Sequence, residues 1–353
     1  MDSSSFDYVL PETLIATEPA SPRDSAKLMV IDRKKGSILH QTFQNLPEIL
    51  NKGDVLVFNQ TKVLPARLFG VKTSGGKVEI LLLKQISSNT WQAISKPGLS
   101  PQKQVIFSKD LSAVTTNKSE NGIIDLQFNL SNQKLIEQIH ILGKMPLPPY
   151  IKSSQTEEKI KEQYQTIYAK HPGSAAAPTA GLHFTDQLLK RFKEKGIQIE
   201  FITLHVGLGT FKPISEDQIK TGVLHKEEFI LDSKTANRLN QAKQEGRRII
   251  AVGTTTTRML ESCANQNNLL EAKEGETDIF IQPPYRFKFV NSLITNFHIP
   301  KSSLLMLVSA FISEPNTKNK FINFKNSLIG KAYEEAIEKG YRFYSFGDGM
   351  LIR

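Results

Sequence analysis

Three histidines, His183, His205 and His298, stand in three separate segments, each beside small or polar residues at the edge of an apolar run. Imidazoles placed in this way suit proton transfer, because a neutral ring accepts a proton near physiological pH. A lone histidine at a strand end is equally well read as structural. Metal binding does not follow: none of the three has HxH or HExxH spacing, and with Asp278 they come from four segments. In ITNFHI (294–299), Asn296 and His298 fall on one face if the segment is a strand, so both would reach one pocket.

The run GTTTTR follows the apolar RRIIAV and precedes a helical pattern. Thr254, Thr255 and Thr256 would then offer hydroxyls and free amides to an anionic or polyhydroxyl ligand. Arg258, one turn later, would pair with a carboxylate. Helix capping accounts for one threonine, not four. No Gly-Lys-Ser/Thr follows, so the run is not a P-loop. HVGLGTF resembles the start of a nucleotide-binding fingerprint, but Lys212 and Pro213 stand where the third glycine belongs. Gly207 and Gly209 are therefore read as places where backbone approaches a ligand.

HPGSAAAPTAGLHFT (171–185) has no large side chain before Leu182 and feeds a helix start at Thr185. Its smallness permits close approach of a ligand to backbone. Arg23 and Asp24 follow a Pro-rich turn, and Asn59, Lys62 and Arg67 flank the start of a β-rich block. Around Tyr285 and Phe287, Arg286 and Lys288 interleave charge with rings, as in single-stranded RNA binding or in an amphipathic strand with a basic outer face.

These groups need a scaffold, and 353 residues with 39% apolar content supply two packed units. Residues 54–150 read as short strands (DVLVF, ARLFGVK, KVEILLLKQI, WQAIS, QVIF, GIIDLQFNL) broken by SGG, SSN, KPG and NG turns, which predicts an antiparallel barrel or sandwich. The remainder alternates helix and strand, with helices expected over 156–170, 186–195 and 233–245, and implies an α/β layer. One cysteine, Cys263, excludes an internal disulfide and a thiolate cage. The longest apolar stretch, Leu304 to Ile312, is far short of the roughly 20 residues of a membrane span. MDSSSFDYVL has no signal-peptide character, so a cytoplasmic location without membrane contact is expected. Net charge is +10, and residues 62–150 hold 11 Lys and Arg against 5 Asp and Glu, which favours a polyanionic partner.

Taken in order, the segments at 8–30, 54–70, 171–185, 204–213, 251–262, 277–289, 294–311 and 341–351 resemble the S-adenosylmethionine:tRNA ribosyltransferase-isomerase family of queuosine biosynthesis. The resemblance implies a mixed α/β main domain (1–60 plus 151–353) with an inserted antiparallel β-barrel (61–150). It implies transfer of the ribosyl part of S-adenosylmethionine to 7-aminomethyl-7-deazaguanine at the wobble position of tRNA with a GUN anticodon. Epoxyqueuosine-tRNA, adenine and methionine would be the products, S-adenosylmethionine being a consumed co-substrate with no cofactor or metal. His183, His298, Asp278 and His205 would carry proton transfer, and the threonine turn, Arg258, Gly207, Gly209 and Asn296 would hold substrate. Arg23, Asp24, Asn59, Lys62, Arg67, Arg286 and Lys288 complete the expected substrate contacts. This chain has Lys27 for the family's usual arginine, Thr257 for a valine and Gly349 for an alanine. The oligomeric state is open, with a monomer favoured. A methyltransferase and a tRNA-binding module without catalysis are the alternatives.

Overall fold

A computed structural model describes residues 2–120, 122–151, 155–207 and 214–353. Its centre is a nine-stranded mixed sheet. In spatial order the strands are Lys273–Ile279, Val223–Leu231, Gln198–Leu204, Val55–Asn59, Ile249–Val252, Ser292–Asn296, Gly349–Ile352, Lys27–Asp32 and Ser37–Thr42. The four from Gln198–Leu204 to Ser292–Asn296 run parallel, and three of them, Val55–Asn59, Ile249–Val252 and Ser292–Asn296, are buried on both faces.

Alternation along these strands divides the core. Met29, Val55, Val57, Ala251 and Leu293 face the helices Ser233–Gln244, Thr254–Cys263, Ser303–Phe311 and Leu328–Glu338. Leu28, Val30, Leu56, Phe58, Ile250 and Ile294 face Phe43, Phe184 and the helix Asp186–Glu194. That helix starts where expected: Thr185 accepts from the Leu188 amide, and Asp24 accepts from the Thr185 hydroxyl at 2.8 Å. The helix expected over 156–170 is shorter, Glu157–Gln163, and the chain then turns toward Lys170.

The β-rich block forms a closed six-stranded antiparallel barrel of Arg67–Lys72, Lys77–Gln85, Thr90–Lys96, Gln104–Ile106, Ser112–Lys118 and Ile124–Phe128. Ser112–Lys118 escaped the sequence reading because SAVTTNK turns only Ala113 and Thr115 inward. DVLVF, grouped with the barrel strands on sequence, belongs to the central sheet. Leu135 and Ile139 of the helix Asn132–Leu142 pack into the barrel core with Leu68, Ile80, Trp91 and Leu126. Arg67 and Lys144 exchange two backbone hydrogen bonds, 2.9 and 3.1 Å, at the base of the unit. Lys84 ties the barrel to the sheet edge through Glu228 at 2.6 Å and Glu276 at 2.9 Å. No helix among the described residues is long and apolar enough to cross a membrane.

Candidate active site

The parallel strands Ile249–Val252 and Ser292–Asn296 deliver their carboxyl ends to one cavity, the usual ligand position in open α/β sheets. Its interior leaves about 50 Å³ of free room, within about 560 Å³ of empty space that includes the open mouth. After Val252 the chain turns at Gly253, whose φ of 95° favours glycine, and enters the helix Thr254–Cys263. The first bond of that helix runs from the Thr257 amide to Gly253 O, and the three preceding amides have no partner among the described residues. Gly253, Thr254 and Thr255 line the cavity, and neither lining hydroxyl has a protein partner among the described residues. Positive helix-end potential, amides and hydroxyls together make an anion seat. Thr256 and Thr257 differ: their hydroxyls bond back to Val252 O and Gly253 O within the helix. Thr256 therefore supports the turn and does not line the cavity.

Residues 295–299 and Leu304 also line the cavity. The strand ends at Asn296 rather than continuing through ITNFHI, yet Asn296 and His298 both line the cavity. His298 is fixed through its main chain, its amide donating to the Tyr333 hydroxyl at 2.8 Å and its carbonyl accepting from Tyr8 at 2.5 Å. Its Nε2 shares a hydrogen bond of 2.9 Å with Thr295 Oγ1, and its other ring nitrogen has no protein partner among the described residues. Asn296 Nδ2 donates to the carbonyls of Tyr344 (2.9 Å) and Ser345 (3.4 Å).

His183 does not line the cavity; its ring stacks on Phe43 with centroids 4.0 Å apart. Its Nε2 and Asn296 Oδ1 are both buried without a hydrogen bond by distance and angle, although the asparagine lies close enough to favour the charged ring. Gly349, where the resemblance predicts alanine, leaves room here: a Cβ would come within 2.8 Å of the Phe43 ring. Burial pushes His183 and His298 down to about 3, with the Arg342 charge adding to the effect at His183. Both rings are therefore neutral at pH 7, and desolvation makes the protonated form of each a strong acid.

That neutrality has a consequence for stability. The unfolded chain holds these protons up to about pH 6.5 and the native one only to about 3. The stability carried by the neutral rings is complete above 6.5 and is lost as pH falls toward 3. Urea denaturation between pH 6.5 and 5 should show a falling midpoint, with a smaller slope in His183→Gln. Equal slopes would remove His183 from this account.

The remaining expected residues divide. Arg258 points away from the cavity: its guanidinium donates to Glu227 in an ion pair with side-chain exposures of 5% and 2%, and to Ile279 O at 3.2 Å. His205 and Gly207 line a second cleft, between the barrel and the sheet, with Trp91 and Glu228. His205 Nδ1 bonds Thr61 Oγ1 at 2.8 Å, burial lowers its pKa, and a Cβ on Gly173 would strike its ring. The Gly207 amide donates to Glu227, and Gly209 lies outside the described residues. Asp278 sits on the outermost strand, five places across the sheet from Asn296, and does not line the cavity.

Asn59 is a structural clamp, joined to both backbone groups of Leu204 and to the Thr61 amide. Asp24 accepts from Thr185 and Gln44, and Arg23 donates to the carbonyls of Gln165 and Glu162, both at 2.7 Å. Arg23 and Lys62 share a basic hollow with His140 and Lys161, whereas Arg67 pairs with Glu79 at 2.6 Å. Arg286 and Lys288 are exposed on a loop, not a strand. Three amides of that loop, at Lys288, Phe289 and Val290, bond the buried Glu261, and the loop leads into the amino end of Ser292–Asn296. It therefore lies at the end of the strand away from the cavity.

Among the described residues no group of three or more His, Cys, Asp or Glu side chains converges to hold a metal. Sequence reading missed Tyr150, Thr179, Thr295, Tyr344 and Ser345, all of which line the cavity. The Tyr150 hydroxyl bonds Ser345 Oγ at 2.6 Å, and burial holds Tyr150 and Tyr344 protonated, pushed up to about 12.

Comparison with known proteins agrees with this architecture. The family described as "Queuosine biosynthesis protein" matches residues 3–352. The chain belongs to that family. S-adenosylmethionine:tRNA ribosyltransferase-isomerases from Thermosipho africanus and Staphylococcus saprophyticus are 46% and 47% identical to it, with both chains covered in full. The solved S-adenosylmethionine tRNA ribosyltransferase from Thermotoga maritima is 35% identical with a TM-score of 0.55, covering 99% of this chain and 100% of its own.

Proposed function

We propose that this member of the queuosine family is an S-adenosylmethionine:tRNA ribosyltransferase-isomerase acting from the cavity at 253–255 and 295–299. The observation that carries the reading is the pairing of an uncapped helix end with a neutral, partly unpartnered His298 in one cavity. The helix end suits the carboxylate of a bound S-adenosylmethionine. His298 would take the proton from the ribose carbon beside the sulfonium, a carbon made acidic by the adjacent positive charge. The C–N bond to adenine then breaks. The aminomethyl nitrogen of 7-aminomethyl-7-deazaguanine attacks the anomeric carbon and loses a proton, and the bond from that carbon to the ring oxygen breaks. The carbanion beside the sulfonium then bonds to the same carbon to close the carbocycle, and the freed ring oxygen displaces sulfur, forming the epoxide C–O bond as the C–S bond breaks and methionine leaves. A desolvated imidazolium is a strong acid, which suits return of the proton to the departing adenine.

The acceptor is read as tRNA with a GUN anticodon, and the basic barrel supports a polyanionic partner. The chemistry requires no cofactor or metal. Incubation with S-adenosylmethionine and tRNA carrying the aminomethyl base should release adenine and methionine in equal amounts, undiminished by EDTA. S-adenosylhomocysteine as the product would instead mean methyl transfer, and intact S-adenosylmethionine would leave only a tRNA-binding module.

A further inference from the structure

We infer that Tyr344 is the platform on which the adenine of S-adenosylmethionine stacks. The inference rests on the proposed co-substrate and assigns a role to a residue outside the expected set. Tyr344 has a φ of 71°, in the left-handed region that an aromatic residue rarely adopts. Its backbone is pinned there: the amide donates to Phe297 O at 3.2 Å, and the carbonyl accepts from Asn296 Nδ2 and the Gly347 amide. Glycine or asparagine would occupy this conformation at lower cost. A bulky ring held in a strained backbone at a cavity wall marks a functional constraint.

The surroundings say what the ring is for. Tyr344 and Tyr150 stand with centroids 4.8 Å apart and planes at 57°, both against the cavity and both partly buried. The lining divides by chemistry between apolar groups, among them Ala177, Val206 and Leu304, and the anion seat at Thr254 and Thr255. A ligand with a flat heteroaromatic head and a carboxylate tail matches that division: the tail takes the helix end and the head takes the ring.

The test is calorimetric, with S-adenosylhomocysteine and adenosine as probes. Tyr344→Gly relieves the backbone and removes the ring, so its melting temperature should equal or exceed that of the parent. Its affinity for both probes should fall roughly tenfold to a hundredfold, the range for deleting a base-stacking ring. Tyr344→Leu, which keeps bulk without an aromatic face, should lose affinity likewise, and Tyr344→Phe should stay within about threefold. Tyr344→Leu carries the test should the glycine variant not fold. Unchanged affinity in Tyr344→Leu overturns the inference, as does weakened S-adenosylhomocysteine binding with adenosine unaffected. Loss of affinity for unmodified or modified tRNA alone would assign the ring to the tRNA base and overturn it too. A parent protein that binds neither probe fails at the level of the co-substrate itself.

Discussion

Replacing His298 by alanine should lower kcat by roughly 10²–10⁴-fold, the usual contribution of a positioned proton-transfer group. Affinity for S-adenosylmethionine should change by no more than a few-fold. The fold should survive, because Tyr8 and Tyr333 hold this position through its carbonyl and amide, not through its ring. Single-turnover release of adenine is the appropriate measurement, since it isolates proton removal from product departure. His183→Gln provides the contrast. Its ring is stacked on Phe43 and does not line the cavity, so a loss there should be smaller. Retention of more than a tenth of the parent kcat by His298→Ala would move the base elsewhere, with His183 next in line.

Arg258→Ala should destabilise the protein by about 3–5 kcal/mol, the typical cost of removing one partner from a buried ion pair. Glu227 would keep the Gly207 amide but lose its guanidinium partner in a nearly solvent-free place. A carboxylate-binding arginine would behave oppositely, weakening ligand affinity while leaving folding alone. Urea denaturation of Arg258→Met decides between the two, and adding Glu227→Gln should recover part of the loss because the buried charge disappears. A loss below about 1 kcal/mol together with tenfold weaker S-adenosylmethionine binding would return Arg258 to the ligand.

The contrast between these residues shows what a sequence displays. The turn after Val252 was legible because strand, glycine and threonines are contiguous, and local pattern alone sets a helix end at a strand terminus. Barrel strands were legible from turn signals, except where SAVTTNK offered too few apolar residues to alternate. Arg258 was misplaced because its partner, Glu227, lies 31 positions away in another strand, and periodicity carries no information about such pairings. Arg286 and Lys288 read either as single-stranded RNA contacts or as the basic face of an amphipathic strand, but Glu261 gathers that segment into a loop through three amides. Tyr344 gave no signal, because its backbone conformation is imposed by Phe297, Asn296 and Gly347 from outside its own residue pattern.

The strand Gly349–Ile352 separates the hairpin of residues 27–42 from Ser292–Asn296, pairing parallel with one side and antiparallel with the other. During synthesis on the ribosome, the apolar edge of Lys27–Asp32 thus waits for more than three hundred residues before its neighbour emerges. The Asp348 carboxylate, which accepts from the Lys27 amide, arrives at the same late moment. The barrel needs only residues 67–142, so it completes its own closure far earlier. A nascent chain therefore carries a finished barrel beside an open sheet, and the unpaired edge is where a holding chaperone has the most to protect.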